Sequence, residues 1–508
     1  MEGGILILDF GSQVTQLIAR RLRELNVYSE LHPYNVSIDK IKEKKPKGII
    51  LSGGPLSVND SESPKREIAE LLEVAPVMGI CYGMQLMAQQ FGGIVEKAKV
   101  REYGKKEVEW DEAPTGVPEK QTVWMSHGDV VMVPPPGFKV LAKSDEDHPA
   151  ALSKDNLFAV QFHPEVSHTD HGADVLKHFV FEVAKAEENW KAEGIVEDLK
   201  SRISSQVGEE DHVIVGLSGG VDSTVAARLV TKALGHERVH CYFINNGLLR
   251  KGEYEEVLER YKKLGLNVSG VDAEKVFLMA LEGVSDPEEK RKKIGHAFIE
   301  VFEHCVKKMD QDPKWLVQGT LYPDVIESVS PRGESVTIKT HHNVGGLPEK
   351  MNLKLLEPLR ELFKDEVRMI GKELSIPPDS LGRHPFPGPG LAIRVLGEVD
   401  KDSLETLRAA DEIYIEELRS NGLYDKIWQA FSVLLPVNTV GVQGDARTYA
   451  KVLALRAVTS SDAMTADWYP FDHEFLQKVS NRITNEVEGV NRVVYDVTSK
   501  PPGTIEWE

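Results

Sequence analysis

Apolar residues in this chain come in short runs that end at a glycine or a polar turn, separated by segments whose apolar positions recur every three or four residues. Ile5-Leu6-Ile7-Leu8 ends at Asp9-Phe10-Gly11 and is followed by helical spacing through Leu17, Ile18, Leu22 and Leu25. Gly48-Ile49-Ile50-Leu51 ends in Ser52-Gly53-Gly54-Pro55, and Pro76-Val77-Met78-Gly79-Ile80 runs straight into Cys81. Short buried strands alternating with helices predict an α/β unit with a mainly parallel sheet, whose site lies at the carboxyl ends of the strands. Between Glu187 and Glu210 the chain is charged and helical, which reads as a link. Val213-Ile214-Val215 then opens a second wound unit, with strands at Val239 to Ile244 and Trp315 to Val317 and helices such as Glu253 to Leu264. From Val395 onward the spacing changes: helical through Leu404 to Leu418, then runs at Ala430 to Val437, Thr439 to Val442, Val452 to Val458 and Arg492 to Val497. The predicted fold is therefore α/β: two doubly wound parallel-sheet domains (1–190 and 191–383) followed by a smaller α+β domain (384–508).

Composition narrows the classes of function. The 508 residues suffice for two to four domains of roughly 150 residues each. With 61 Lys+Arg against 80 Asp+Glu, the net charge of -19 opposes a surface that coats nucleic acid but leaves room for a local nucleotide pocket. The three cysteines, Cys81, Cys241 and Cys305, form no C-x-x-C pair, and the N-terminus is not signal-like, so a reducing, cytoplasmic setting is expected. No apolar run approaches the ~20 residues needed to span a bilayer.

Cys81 is flanked as Gly79-Ile80-Cys81-Tyr82-Gly83, the thiol counterpart of the G-x-S-x-G nucleophile elbow, with the helical run Met84 to Ala88 behind it. The two glycines allow a strained turn, and a helix N-terminus favours the thiolate. A nucleophile needs a base and a group to orient the base. Phe158-Ala159-Val160-Gln161-Phe162-His163-Pro164-Glu165 supplies both, His163 and Glu165, on one apolar strand end. His168 and His171 nearby raise a metal-site alternative, although the i, i+4 pairing of a zinc helix is absent. The polar Ser126-His127-Gly128-Asp129 segment reads as a turn that can contact substrate. Gly54, in the glycine turn, and Tyr82 are candidate backbone donors to an oxyanion.

The second unit opens with Gly216-Leu217-Ser218-Gly219-Gly220-Val221-Asp222-Ser223-Thr224 between a strand and a helix start. That arrangement aims backbone N–H groups and a helix N-terminus at an anion, most simply phosphate. The loop has no lysine and so is not a Walker A loop. Lys364 can neutralise pyrophosphate, and Asp222 or another carboxylate, Asp324 among them, can hold Mg²⁺. Lys364 equally suits a solvated helix face, as does Arg291 in its run of charges.

Several stretches resemble known families. The loop Ser218 to Ser223 resembles the pyrophosphate-binding loop of ATP pyrophosphatases, which split ATP into AMP and pyrophosphate. The Ser-Gly-Gly-Pro turn, the elbow and His-Pro-Glu resemble a class I (triad) glutamine amidotransferase domain over about residues 1 to 190, which implies that Cys81, His163 and Glu165 release ammonia from glutamine. Lys339-Thr340-His341-His342-Asn343-Val344-Gly345-Gly346 suits a lid, and His384-Pro385-Phe386-Pro387-Gly388-Pro389-Gly390-Leu391 is too rich in Pro and Gly for helix or central strand. With the loop, they make the whole chain resemble the GMP synthetase family, which converts xanthosine monophosphate (XMP) to GMP. The resemblance implies ATP and Mg²⁺, no nucleic-acid or membrane partner, a homodimer through the C-terminal domain, and an XMP site containing Arg291, Gln429, Lys500 and Glu506. Two alternatives stay open: another amidating or thiolating enzyme with the same ATP loop, such as an NAD synthetase or a tRNA-modifying enzyme, and a catalytically silent nucleotide-binding scaffold.

Overall fold

The computed structural model describes residues 3–328, 353–443, 446–460 and 465–508; the expected lid at 339–346 lies outside them. The chain divides into two compact units, one ending at Ile195 and one beginning at Val196.

The first unit is built on a nine-stranded sheet in the order β2-β1-β3-β4-β9-β8-β7-β5-β6. Five of these strands are parallel: β1 (Ile5–Asp9), β2 (Ser29–Pro33), β3 (Gly48–Leu51), β4 (Val77–Ile80) and β9 (Leu157–Val160). Leu8, Ile50, Leu51, Met78, Ile80 and Val160 are wholly buried, as expected of strands covered on both faces. The other four, β5 (Ile94–Trp110), β6 (Lys120–Val133), β7 (Lys139–Ser144) and β8 (Pro149–Lys154), extend the sheet in antiparallel fashion. The long β5–β6 ribbon alternates buried and exposed side chains, so it lacks the continuous apolar runs that mark its parallel neighbours. Ser126 to Asp129, expected as a turn, lies inside β6, with His127 opposite Glu102.

The second unit contains a five-stranded parallel sheet, β12-β11-β10-β13-β14: β10 (His212–Leu217), β11 (Val239–Asn245), β12 (Val268–Asp272), β13 (Pro313–Val317) and β14 (Lys354–Leu356). β10 sits between β11 and β13, where the winding reverses, and ligands bind beyond the strand ends at such a point. A third sheet follows, with β15 (Gln429–Gln443) antiparallel to β16 (Ala446–Thr459), which also pairs with β17 (Asp467–Trp468) and, in parallel, with β18 (Val490–Tyr495). The runs at Ala430–Val437 and Thr439–Val442 are one strand with an irregularity between Leu435 and Asn438, next to Pro436. One apolar cluster joins Ile214 on β10 to Leu391, Leu407, Leu453 and Val479, so the expected boundary near 384 falls within a shared core.

Candidate functional site

Cys81 sits between β4 and helix Tyr82–Gln90 with φ 51° and ψ −103°, a conformation that costs a non-glycine residue energy and marks a nucleophile elbow. A Cβ on Gly79 would lie 2.6 Å from the Gly83 carbonyl carbon, and one on Gly83 would lie 2.5 Å from Leu51 O, so the close crossing of strand and helix requires both glycines. The turn is tied to its neighbours by Cys81 N–H donating to Val160 O (2.9 Å) and Gly83 N–H to Ser52 O (3.2 Å).

β9 delivers His163 beside this thiol. The His163 main chain is pinned by its N–H to Trp124 O (3.0 Å) and by Thr169 Oγ1 donating to its carbonyl (2.6 Å). His163 Nδ1 lies 2.8 Å from Glu165 Oε1, and the glutamate side chain is fully buried. A carboxylate can only accept here, so Nδ1 carries the hydrogen and Nε2 is left for the thiol. Burial works against a charged imidazole, but the Glu165 carboxylate and the Cys81 sulfur outweigh it, and the His163 pKa rises well above its usual value.

Opposite the ring, Ser52 Oγ accepts from Phe10 N–H (3.0 Å) and donates to Gly53 O (2.9 Å), fixing the glycine turn after β3. A Cβ on Gly53 would meet His163 Cε1 at 3.0 Å. The amides of Gly54 and Tyr82 donate to no acceptor among the described residues, which leaves both able to receive an oxyanion. Ser126 O lies 3.9 Å from Cys81 Sγ. Gln85, which the sequence did not single out, reaches from the helix to donate to Asp129 O (2.8 Å). His127 is buried with Nδ1 3.0 Å from Asp129 O, and burial lowers its pKa to about 4. His168 and His171 turn to different partners, Trp124 and Asp174, and no group of three or more metal-binding side chains occurs among the described residues.

In the second unit, Ser218 to Ser223 forms the turn from β10 into helix Val221–Leu234, with Gly219 at φ 79°. Ser223 Oγ accepts from Ser218 N–H (3.3 Å) and lies 3.1 Å from Ser218 Oγ, while Thr224 Oγ1 donates to Gly220 O (2.7 Å). Arg383 donates to Gly219 O (3.1 Å) and pairs with Glu253. Lys364 starts helix Lys364–Glu373, and its Nζ lies 2.5 Å from Asp222 Oδ2 across the loop. Asp222 Oδ1 is buried without a partner. That free oxygen fits Mg²⁺, which takes one or two carboxylates and completes its shell with water and phosphate oxygens. Asp324 accepts from Leu321 N–H (3.0 Å) at the start of helix Tyr322–Ser328.

Of the four residues expected around XMP, Gln429 and Glu506 meet directly: Gln429 Nε2 donates to Glu506 Oε1 at 2.7 Å. Arg291 donates to Glu508 O (2.6 Å), two residues further along. Lys500 pairs through its main chain with Ala466. Arg394, which is not among the residues expected from the sequence, is wholly buried, grips Glu506 through Nη2 (2.9 Å) and Nε (3.2 Å), and stacks over Phe431. Its signal was a lone charge inside Leu391-Ala392-Ile393-Arg394-Val395, because such a charge is buried only when paired.

His384, in the Pro/Gly-rich segment, stacks on Tyr424, donates from Nε2 to Tyr424 O (2.8 Å) and accepts Ala430 N–H at Nδ1 (3.2 Å). Burial lowers its pKa to about 4. The unfolded chain, with a histidine near pH 6.5, binds the extra proton first, so stability is full above that value and falls as the pH drops toward 4. The loss is about 3 kcal/mol at most. Urea unfolding at pH 7.5 and 4.5 should show a smaller pH-dependence in His384→Gln than in the parent.

Comparison with known proteins agrees with this geometry along the chain. Residues 6–183 match the family model described as glutamine amidotransferase class-I, residues 193–297 that described as NAD synthase, and residues 416–507 that described as GMP synthase C terminal domain. A protein of Bdellovibrio bacteriovorus named GMP synthase [glutamine-hydrolyzing] is 65% identical over 507 residues, covering 99% of this chain and 100% of the relative. The chain belongs to the glutamine-hydrolysing GMP synthase family. Relatives of the same name from Chlorobium chlorochromatii and Aquifex aeolicus are each 55% identical, over 99% of this chain and 99% of their own. The full-length relatives favour this family over the NAD synthetase alternative, whose model matches residues 193–297 alone. No helix among the described residues is long and apolar enough to cross a membrane.

Proposed function

We propose that the chain makes GMP from XMP, ATP and glutamine, a ligase reaction that forms a C–N bond with glutamine as the amide donor. Cys81 attacks the side-chain amide of glutamine, and the oxyanion is received by the Gly54 and Tyr82 amides. The His163 imidazolium protonates the departing ammonia, then, as the neutral base, activates the water that opens the thioester. Glu165 holds the tautomer and stabilises the imidazolium.

In the second unit, Ser218, Gly219, Gly220, Val221, Asp222 and Ser223 cradle the β- and γ-phosphates of ATP while the C2 oxygen of XMP takes the adenylyl group. Pyrophosphate leaves, and Lys364 neutralises its charge. Asp222 would hold Mg²⁺, which supplies further charge neutralisation on the phosphates when bound. Ammonia then displaces AMP from C2. Arg291, Gln429, Lys500 and Glu506 bind XMP. The observation that carries the reading is the presence of both a thiol–imidazole–carboxylate triad and a lysine-free phosphate cradle in one chain. Product analysis with ATP and glutamine tests it: XMP is aminated, whereas amination of inosine monophosphate or deamido-NAD in its place would contradict it.

The chain acts in the cytoplasm as a homodimer through its C-terminal sheet. Support comes from the exposed apolar side chains Val440, Val442, Tyr449 and Val494 on β15, β16 and β18, where Val440 lies opposite Tyr449. Sedimentation at micromolar concentration should give twice the chain mass, and Tyr449→Asp should give the monomer.

A further inference from the structure

We infer that Lys290 is a positioning residue for the nucleotide half of the reaction, setting the geometry of the Arg394–Glu506–Gln429 cluster from behind. The inference rests on the reading of that cluster as part of the XMP site. Lys290 belongs to helix Pro287–Lys307, within a run of charges that by sequence looks like a solvated face, yet its side chain is wholly buried. An ammonium is tolerated there only if its three hydrogens are accepted, and all three are: by Ala392 O at 3.1 Å, Val395 O at 2.8 Å and Glu508 Oε2 at 2.6 Å.

The acceptors come from two segments that must be in register for the site to exist. Ala392 and Val395 bracket Arg394, the residue that grips Glu506 with two hydrogen bonds. Glu508 lies two residues beyond Glu506, and its main-chain oxygen accepts from Arg291. One ammonium thus ties the turn that carries the guanidinium to the segment that carries the carboxylate, and holds the Arg291 contact with them. Upstream, Arg456 is equally buried and donates to Thr498 O (2.6 Å) and Thr504 O (3.0 Å), anchoring the earlier part of the same segment. Arg456 Nε also donates to Ile505 O (3.4 Å), just before Glu506, and Lys290 holds the segment on the other side, at Glu508. A buried ion pair adds little net stability over apolar side chains filling the same volume, so the Lys290–Glu508 pair is explained by the arrangement it enforces rather than by stability.

The test uses the full chain with ammonia as nitrogen donor. In Lys290→Met the cluster loses register, and because a misplacement of about 1 Å costs up to ~100-fold, the KM for XMP should rise about tenfold or more. The KM for ATP should change less than about twofold, and glutamine hydrolysis by the first unit should be unaffected, since the three contacts that Lys290 makes, to Ala392, Val395 and Glu508, all belong to this cluster. Glu508→Gln keeps the shape and replaces the ion pair by a hydrogen bond from the ammonium to an uncharged amide oxygen, so a smaller rise in the same constant is expected. Glu506→Gln reports on the site itself. An unchanged KM for XMP in folded Lys290→Met, or in Glu508→Gln where the lysine variant does not fold, overturns the inference when Glu506→Gln raises that constant. If Glu506→Gln leaves it unchanged as well, the site reading fails and takes the inference with it. Equal changes in the constants for XMP and ATP indicate general loosening and also overturn it.

Discussion

Cys81→Ala abolishes GMP formation from glutamine, by a factor on the order of 10⁴ to 10⁶, while synthesis from added ammonia proceeds at close to the parent rate. The size of the first effect follows from the elbow. The thiol is held at φ 51° between β4 and its helix, beside an imidazole already paired with a buried carboxylate, and the other two cysteines, Cys241 and Cys305, are buried in the second unit. The second half of the expectation follows from location: every residue assigned to adenylation and XMP binding lies in the second unit, whereas Cys81 lies in the first. Steady-state rates with each nitrogen donor check it. Loss of both activities would refute the division of labour.

The complementary variant, Asp222→Asn, should lower AMP formation on the order of 10²- to 10³-fold with either nitrogen donor, leaving the triad chemically intact. Asp222 stands in the first turn of the helix that follows the glycine loop, with Oδ2 on Lys364 and Oδ1 buried and unpartnered. An amide there keeps the shape but removes the charge that a divalent cation requires and half of the Lys364 pair. Pyrophosphate release measured against Mg²⁺ concentration separates these effects. Weakened cation binding appears as a higher Mg²⁺ concentration for half-maximal rate, while a lost loop geometry does not respond to added cation.

The parallel strands, the elbow and the glycine loop were legible in the sequence because each depends on neighbours in the chain: an apolar run stops, and a glycine or polar turn follows. Gly79 and Gly83 announce a strand and helix in close crossing, and the structure puts a Cβ at either position within 2.6 Å of backbone. The β5–β6 ribbon was not legible. Its side chains alternate between core and solvent, and the polar set Ser126 to Asp129 resembles a turn until Glu102, on the partner strand, is placed opposite His127. Gln429, Arg394, Lys290 and Glu506 converge from positions up to 216 residues apart, and nothing local to any of them encodes that meeting. Charge alone misleads here: Lys290, in a run of charges, is wholly buried, whereas Lys364, paired with Asp222 across the glycine loop, is half-exposed.

The central claim is that nitrogen freed at Cys81 is the nitrogen installed where the Ser218 to Ser223 loop has activated the nucleotide. The most direct measurement supplies glutamine labelled with ¹⁵N in its side-chain amide, together with XMP, ATP and Mg²⁺, and follows the products by mass spectrometry. GMP should carry the label, with AMP and pyrophosphate formed in equal amounts. Unlabelled GMP, or ADP and phosphate in place of AMP and pyrophosphate, would contradict it.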